Sequence, residues 1–305
     1  MKILVLGAGA VGGYFGGRLV EKGEDVTFLV REQRQKQLLE HGLFINSIHG
    51  NIQLKPKTIV TNEDVELYDV IIFATKAYHL EAGIEAIKPY VGEKTMIIPL
   101  LNGIKHLEVL QNAFGVEKVL GGLCFIEATL NEQGDVIQTS DTHQLLFGEL
   151  SGGTNSRIEA ISKVFSNTKA ALHPSVHILQ DIWQKYLLIT TLSGTTTLMR
   201  SAIGPIRDTC EEIIYQLLNE TAAIMKAAGA PIAEDVVEKR MDVIRNQSFT
   251  LKSSMLRDME KSSPIEADHI QGYLLDLAAQ NNVDAPLLKL IYHNLKVYEK
   301  NLIGV

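Results

Sequence analysis

Short apolar runs alternate with helical patterns along the first half of the chain. The runs are rich in β-branched residues and apolar on both faces, which is typical of strands buried in a parallel sheet. The predicted strands are Ile3–Leu6, Val26–Val30, Val70–Ala74 and Met96–Leu100. Helical segments follow the first two strands, one ending near Gly23 and one running from about Glu32 to His41. The alternation predicts an α/β fold built on a Rossmann-type doubly wound parallel sheet.

Two further pairs of strands are predicted beside this sheet. Leu43–Leu54 turns through His49-Gly50-Asn51, which indicates a small hairpin. Val119–Leu130 and Val136–Gly148 are longer, alternate more strongly, and are joined by the turn Glu132-Gln133-Gly134-Asp135. We expect this second pair to form an antiparallel edge.

After about Asp181 the strand pattern disappears and helical spacing takes over. Asp208–Ala228 is the clearest helix, with Asp208 as its expected N-cap and Glu211 at the capping-box position. Further helices are predicted at Glu234–Arg245, Glu266–Asn281 and Pro286–Lys300. We therefore expect a Rossmann domain over residues 1–180 and an all-α domain over residues 181–305, packed around a cleft.

Composition and charge exclude several classes of function. A chain of 305 residues suits two domains, and 46% apolar with 21% charged residues is the balance of a folded protein. The net charge is −7 and no stripe of Lys and Arg could follow a phosphate backbone, so we expect no nucleic-acid partner. Cys124 and Cys210 form no CxxC pair, and no cluster of His, Cys and Asp suggests a metal site.

The apolar segments are also too short for a membrane protein. None approaches the roughly 18–20 residues that span a bilayer. The first residues run directly into a strand and a glycine turn, whereas a signal peptide needs a longer apolar region and a cleavage site. We expect a cytoplasmic protein with no membrane partner.

A glycine-rich turn, Gly7-Ala8-Gly9-Ala10-Val11-Gly12, joins the first predicted strand to the first predicted helix. In this context Gly7 permits the tight turn, Gly9 lets a pyrophosphate approach the backbone, and Gly12 allows close packing of helix on strand. Free N–H groups at the helix start would face the diphosphate. The turn predicts a dinucleotide site, with a purely structural glycine turn as the alternative.

The end of the second strand indicates which dinucleotide binds. An NAD enzyme usually places Asp or Glu there for the ribose 2′-hydroxyl. This chain has Arg31, with Arg34 close behind, and a guanidinium suits a 2′-phosphate. The pattern favours NADP(H), although Glu32 could also reach the ribose and Arg31 would then be an ordinary surface residue.

Two more loops follow predicted strands, at the edge where open α/β sheets bind ligands. Lys76 lies in Ala74-Thr75-Lys76-Ala77 and could pair with a cofactor phosphate. Asn102 lies in Leu100-Leu101-Asn102-Gly103 and could present its amide to the nicotinamide. Ordinary capping or turn roles explain both residues equally well.

Two charged residues of the helical half are candidates for chemistry. Lys185 lies within an aromatic and aliphatic segment, and burial lowers a lysine pKa towards the range of a general acid. A lysine whose stem lies along apolar surface is the alternative, and composition alone favours it. Glu266 follows Pro264 and Ile265 at a natural helix start, where the helix dipole favours a carboxylate.

Taken together, the ordered motifs resemble the ketopantoate reductase (2-dehydropantoate 2-reductase) family over essentially the whole chain. The matching features are GAGAVGGYFGGRL at the start, Arg31, TKAY at 75–78, LLNG at 100–103, WQKYL at 183–187, and SSML…PIEAD at 253–268. The resemblance implies that Lys185 is the general acid. It also implies that Glu266 helps to hold the substrate hydroxyl and the lysine, that Ser254 contacts the substrate carboxylate, and that Asn102 lies by the nicotinamide and the substrate.

One departure from the family bears on the substrate. Biosynthetic members often carry asparagines four and eight residues after the lysine, where this chain has Ile189 and Ser193 on the same helical face. Loss of polar contacts of this kind can cost orders of magnitude in discrimination.

Three functions therefore stay open. The first is NADPH-dependent reduction of a 2-oxo acid, with 2-dehydropantoate as the leading substrate, in pantothenate biosynthesis. The second is a D-2-hydroxyacid dehydrogenase acting on a more apolar 2-oxo acid. The third is a non-catalytic NADP-binding sensor, which would need neither Lys185 nor Glu266. The expected partner is a small 2-oxo acid, and a homodimer is left open.

Overall fold

A computed structural model describes residues 1–303, which fall into two compact units. The first unit comprises Met1–Leu101 and His106–Leu179, and the second comprises Asn102–Lys105 with the rest of the chain from Gln180. The strands are β1 (Lys2–Leu6), β2 (Asp25–Leu29), β3 (Leu43–Ser47), β4 (Ile52–Leu54), β5 (Lys57–Ile59), β6 (Tyr68–Phe73), β7 (Val91–Pro99), β8 (Gly121–Leu130), β9 (Val136–Gly148) and β10 (Ala171–Pro174). The helices are α1 (Ala10–Lys22), α2 (Glu32–His41), α3 (Leu80–Ile87), α4 (Lys105–Phe114), α5 (Ser156–Phe165), α6 (Ile178–Met199), α7 (Ile203–Ala227), α8 (Val236–Arg245), α9 (Ser254–Glu260), α10 (Tyr273–Gln280) and α11 (Pro286–Ile303).

The first unit is built on a five-stranded sheet in the order β5-β2-β1-β6-β7, with every pair parallel. Consecutive side chains are buried along β1, β2, β6 and the second half of β7, so both faces of the sheet are covered there, which explains the continuous apolar runs. The predicted Rossmann fold followed by a helical region is confirmed. The first three motifs of the sequence fall at the carboxyl ends of the adjacent strands β1, β2 and β6.

The predicted antiparallel pairing of β8 with β9 is confirmed, but the pair belongs to a second sheet with the order β10-β9-β3-β4, in which β8 pairs with β9. β9 also pairs in parallel with β3 and β10, so it is an interior strand. Alternation along a strand shows which residues face inward, and it carries no information about which sheet the strand joins.

The predicted start of the long helix is also wrong. α7 begins at Ile203 with Ala202 as its N-cap, so Asp208 lies inside the helix. Pro205 is accommodated because the first turn of a helix needs no proline N–H. A kink at Cys210, with φ −149° and ψ 51°, interrupts α7 close to the predicted start.

The predicted helix Glu266–Asn281 contains an irregular turn. Residues Asp268–Gly272 form a π-helical turn, which leads directly into α10. A π turn inserts one extra residue into a helical ladder, and such turns occur often at functional sites. No helix within residues 1–303 is long and apolar enough to cross a membrane.

Candidate active site

The glycine turn of the first unit leaves space against its backbone. Gly7 has φ 93°, a conformation that favours glycine, and a Cβ on Gly12 would lie 2.1 Å from the Gly7 carbonyl oxygen. A Cβ on Gly9 would meet no atom within 4 Å. Gly9 also precedes α1 as its N-cap, so its open side lies at the start of the helix, where N–H groups attract an anion. The geometry fits a dinucleotide pyrophosphate.

Arg34, on α2, donates hydrogen bonds to this turn. Its Nε and Nη2 atoms donate to the Ala8 carbonyl oxygen at 3.2 and 3.0 Å, and Nη2 also donates to the Gly134 carbonyl oxygen at 2.9 Å. Burial lowers the pKa of the Arg34 guanidinium. Arg34 therefore serves the protein's own backbone.

Arg31 is placed differently, at the exposed N-cap position of α2. Its Nη2 atom lies 3.0 Å from Nε2 of His79, which belongs to the short 3₁₀ turn Ala77–His79 that follows Lys76. Burial and the neighbouring Arg31 lower the pKa of His79, so a neutral imidazole can accept from the guanidinium. Arg31 and Lys76 thus flank the glycine turn at the same edge of the sheet, as neighbours of β1.

The second unit brings two of the predicted residues into direct contact. Lys185 lies on α6 with only 8% of its surface exposed, and its Nζ donates to Oδ1 of Asn102 at 3.0 Å. Asn102 comes from a segment 83 residues earlier in the chain. A buried ammonium needs such a polar partner because desolvation of an isolated charge is costly.

The two positions that depart from the family lie farther along α6. Ile189 is half-buried, and Ser193 is buried. The Ser193 hydroxyl oxygen accepts a hydrogen bond from Nε2 of Gln271 at 2.7 Å. Gln271 is fully buried and belongs to the π turn, so an amide that the sequence pattern did not indicate lies against Ser193.

The remaining predicted residues lie on separate elements. Glu266 is buried just before the π turn, and its backbone carbonyl accepts from the amides of His269 and Ile270 at 3.2 and 3.0 Å. Ser254 is exposed as the first residue of α9. Its neighbour Ser253 caps α9 and shares a 2.7 Å hydrogen bond with Thr196 of α6.

Sequence reasoning missed three residues of these two sites: His79, His269 and Gln271. Burial and, to a smaller extent, the charge of Lys105 lower the pKa of His269 to about 4, against the opposing effect of a hydrogen bond to the Asn102 backbone. The available signal was position, because His79 directly follows the TKAY motif and His269 directly follows PIEAD. Within residues 1–303 no group of three or more His, Cys, Asp or Glu side chains could hold a metal ion.

Comparison with known proteins covers both units. Residues 3–152 match the family model described as ketopantoate reductase PanE/ApbA, and residues 177–299 match the model for its C-terminal part. A relative from Bacillus subtilis, named uncharacterized oxidoreductase YkpB, is 44% identical over 301 residues, with 98% of this chain and 99% of that protein covered.

Solved structures share the fold over nearly the full length. The 2-dehydropantoate 2-reductase of Geobacter metallireducens superimposes with a TM-score of 0.88 at 26% identity, covering 97% of this chain and 99% of that one. A D-mandelate dehydrogenase solved with NADH and anilino(oxo)acetate gives a TM-score of 0.89 at 22% identity, covering 99% of both chains. The second likeness concerns the fold alone.

Proposed function

The chain belongs to the ketopantoate reductase family of NAD(P)H-dependent oxidoreductases, and we propose that it reduces a 2-oxo acid to a 2-hydroxy acid with NADPH. The leading substrate is 2-dehydropantoate, with pantoate as product for pantothenate biosynthesis. The observation that carries the proposal is the buried Lys185 ammonium held by the Asn102 amide.

We assign cofactor binding to the first unit. The open backbone at Gly9 fits the pyrophosphate, while Arg31 and Lys76 supply positive charge at the same sheet edge. An exposed guanidinium and a neighbouring imidazole suit the 2′-phosphate of NADPH better than the 2′-hydroxyl of NADH. When bound, the cofactor supplies the hydride.

We assign the proton and the substrate contacts to the second unit. Hydride arrival at C2 of a 2-oxo acid turns the carbonyl into an alkoxide, which needs one proton to become the hydroxyl. Lys185 donates that proton from Nζ, and the Asn102 oxygen fixes the direction of one of its N–H bonds. Glu266 orients the hydroxyl, and Ser254 binds the carboxylate at the start of α9, where the helix dipole favours an anion.

A second candidate substrate class follows from Ile189. This half-buried apolar side chain is one helical turn from Lys185 on the same face of α6. An apolar wall there favours a 2-oxo acid with an apolar side chain, as a D-2-hydroxyacid dehydrogenase would use. A non-catalytic sensor is disfavoured because it would gain nothing from a buried, hydrogen-bonded Lys185.

Steady-state assays of the purified protein test these alternatives. We expect turnover of ketopantoate, 2-oxoisocaproate or phenylglyoxylate with NADPH, at a higher kcat/KM than with NADH. Preference for ketopantoate would support the biosynthetic reaction, and preference for the two apolar acids would support the dehydrogenase. Tight NADPH binding without turnover of any 2-oxo acid would point to the sensor.

A further inference from the structure

We propose that His269 is a positioning residue that holds Asn102 in the place from which its amide binds the Lys185 ammonium. The inference rests on the proposed function, in which Lys185 donates the proton. It concerns only residues of the second unit, and it gives the π turn Asp268–Gly272 a role in the reaction.

The segment that carries Asn102 lies directly on His269. Gly103 has φ 82°, and a Cβ added there would lie 3.1 Å from Cδ2 of His269 and 3.2 Å from its carbonyl oxygen. The positive φ favours glycine, and a side chain at this position would require His269 to shift by a few tenths of an ångström. The backbone of Gly103 therefore packs against the imidazole ring and the backbone of His269 in the π turn.

A hydrogen bond fixes this contact. The imidazole of His269 donates to the backbone carbonyl of Asn102, while Oδ1 of the same asparagine accepts from Lys185 at 3.0 Å. Asn102 is thus held by its backbone on one side and offers its side chain on the other. His269 has only 8% of its surface exposed, so water competes little for this bond.

The π turn also holds the helix that carries Lys185. The Tyr186 hydroxyl donates to the carbonyl oxygen of Ile270, and Nε2 of Gln271 donates to Ser193 Oγ at 2.7 Å. Three consecutive residues of the turn therefore bind the two partners of the Lys185–Asn102 hydrogen bond: His269 binds the segment of Asn102, and Ile270 and Gln271 bind α6. The turn sets the separation of the acid from its amide partner.

The protonation state of His269 suits this role. Burial and the charge of Lys105 lower its pKa to about 4, so at neutral pH the ring is uncharged. A neutral imidazole has one N–H to donate, and the Asn102 carbonyl receives it.

The experiment compares two substitutions of His269 with one control. His269→Phe keeps an aromatic ring and removes the donor, whereas His269→Gln keeps an N–H donor of similar reach. Asp268→Asn changes the same π turn at an exposed residue whose partners are Tyr292 and Lys296. We expect His269→Phe to lower kcat about 10- to 100-fold, since a misplaced catalytic group costs a factor of this order. KM and the Kd for NADPH should change less than threefold, His269→Gln should recover most of kcat, and Asp268→Asn should match the wild type.

Two further measurements separate positioning from simple destabilisation. In an Asn102→Ala background, His269→Phe should lower kcat less than twofold, because the residue it positions is already gone. Amide hydrogen exchange at residues 103–105 should accelerate at least tenfold in His269→Phe, with α6 unchanged. A wild-type kcat in His269→Phe, no rescue by Gln, full additivity with Asn102→Ala, or unchanged exchange would each overturn the inference.

Failure of the proposed function has a different signature. The wild-type protein would then turn over no 2-oxo acid, while exchange at residues 103–105 would still respond to His269→Phe. If His269→Phe does not fold, the comparison of His269→Gln with wild type by hydrogen exchange decides the question. Protection at residues 103–105 retained within threefold supports the inference, and loss beyond tenfold contradicts it.

Discussion

Arg31 and Arg34, the two arginines that follow β2, make different contacts in the structure. Arg31 is exposed and lies beside the half-buried imidazole of His79, whereas Arg34 donates hydrogen bonds to the carbonyl oxygens of Ala8 and Gly134. The sequence shows two guanidiniums with equal potential to bind phosphate. In the structure Arg34 binds backbone carbonyls, so the proposal assigns the cofactor 2′-phosphate to Arg31.

This difference predicts that alanine substitutions of Arg31 and Arg34 affect cofactor binding differently. Arg31→Ala should weaken NADPH binding by roughly 1.5–3 kcal/mol, the range of a charge-assisted hydrogen bond, and leave NADH binding nearly unchanged. Arg34→Ala should weaken both cofactors alike, because it loosens the glycine turn that each would use. Fluorescence titration with both dinucleotides checks the pair, and equal losses in Arg31→Ala would exclude it as the 2′-phosphate reader.

The second prediction concerns Lys185 as the proton donor. Lys185→Ala should lower kcat by on the order of 10²–10⁴, the usual share of general acid catalysis. NADPH binding should survive, since Gly9, Arg31 and Lys76, which are proposed to bind its phosphates, lie in the other unit. Lys185→Met should be equally inactive yet at least as stable, because it removes a buried ammonium. Near-normal turnover in either variant would mean that another group supplies the proton.

Helix α1 begins at Ala10, inside the glycine motif, so Gly9 is its N-cap and Gly12 lies in its first turn. Gly9 and Gly12 look alike in the GxGxxG pattern but have different surroundings. A Cβ on Gly12 would collide with the Gly7 carbonyl at 2.1 Å, whereas a Cβ on Gly9 would project into open space. Gly9 also has φ −80°, which any residue can adopt.

We therefore expect the two alanine substitutions to differ in kind. Gly12→Ala should destabilise the first unit and abolish dinucleotide binding, because backbone must move. Gly9→Ala should keep the melting temperature within about 2 °C, and it should weaken NADH and NADPH equally at least tenfold by blocking the pyrophosphate. Thermal unfolding and cofactor titration measure both effects. Normal binding by Gly9→Ala would place the pyrophosphate elsewhere.

The contact between α6 and the π turn affects substrate choice at Ile189 and Ser193, the two positions where the family often carries asparagine. Ser193 is small, and the fully buried Gln271 amide occupies the neighbouring space. Ser193→Asn alone should destabilise the protein by about 1–3 kcal/mol through overpacking. Pairing it with Gln271→Ala should restore stability, and adding Ile189→Asn should then raise kcat/KM for ketopantoate relative to 2-oxoisocaproate. A single Ser193→Asn variant with wild-type stability would show that the Gln271 amide does not fill this space.

Across the whole chain, a single tryptophan offers a probe of one unit. Trp183 lies on α6 with 9% of its surface exposed, so its fluorescence reports the unfolding of the helical unit. The same unit contains His269, whose pKa falls from 6.5 to about 4 on folding. A lowered histidine pKa means that the unfolded state binds more protons than the folded state between these two values.

The stability of the helical unit should therefore depend on pH through this residue. The contribution of neutral His269 to the free energy of unfolding is complete above about pH 6.5. It declines as the pH falls and is lost below about pH 4. The wild-type free energy of unfolding should fall between pH 7 and pH 4.5, and His269→Gln should make this fall smaller by about 2–3 kcal/mol. Urea unfolding followed by Trp183 fluorescence measures it. Equal pH dependence in wild type and variant would mean that the pKa of His269 does not fall on folding.

The sequence by itself determined the Rossmann sheet, the glycine turn and the helical second half. These features depend on local rules, namely buried strands that are apolar on both faces, helical spacing and glycine in a tight turn, so short segments carry them. The order of motifs was enough to indicate the family and to select Lys185, Asn102 and Arg31 as candidates. Their sequence neighbourhoods hold that information.

Only the tertiary structure decided how these residues are held. Lys185 meets Asn102 across 83 positions and Gln271 meets Ser193 across 78, and no local pattern encodes such pairs. The sheet that β9 joins, the commitment of Arg34 to the Ala8 carbonyl, and the π turn under Asn102 are of the same kind. Each pairs polar groups that lie far apart in the sequence, and burial favours such pairs because an unsatisfied buried polar group costs about 1–3 kcal/mol.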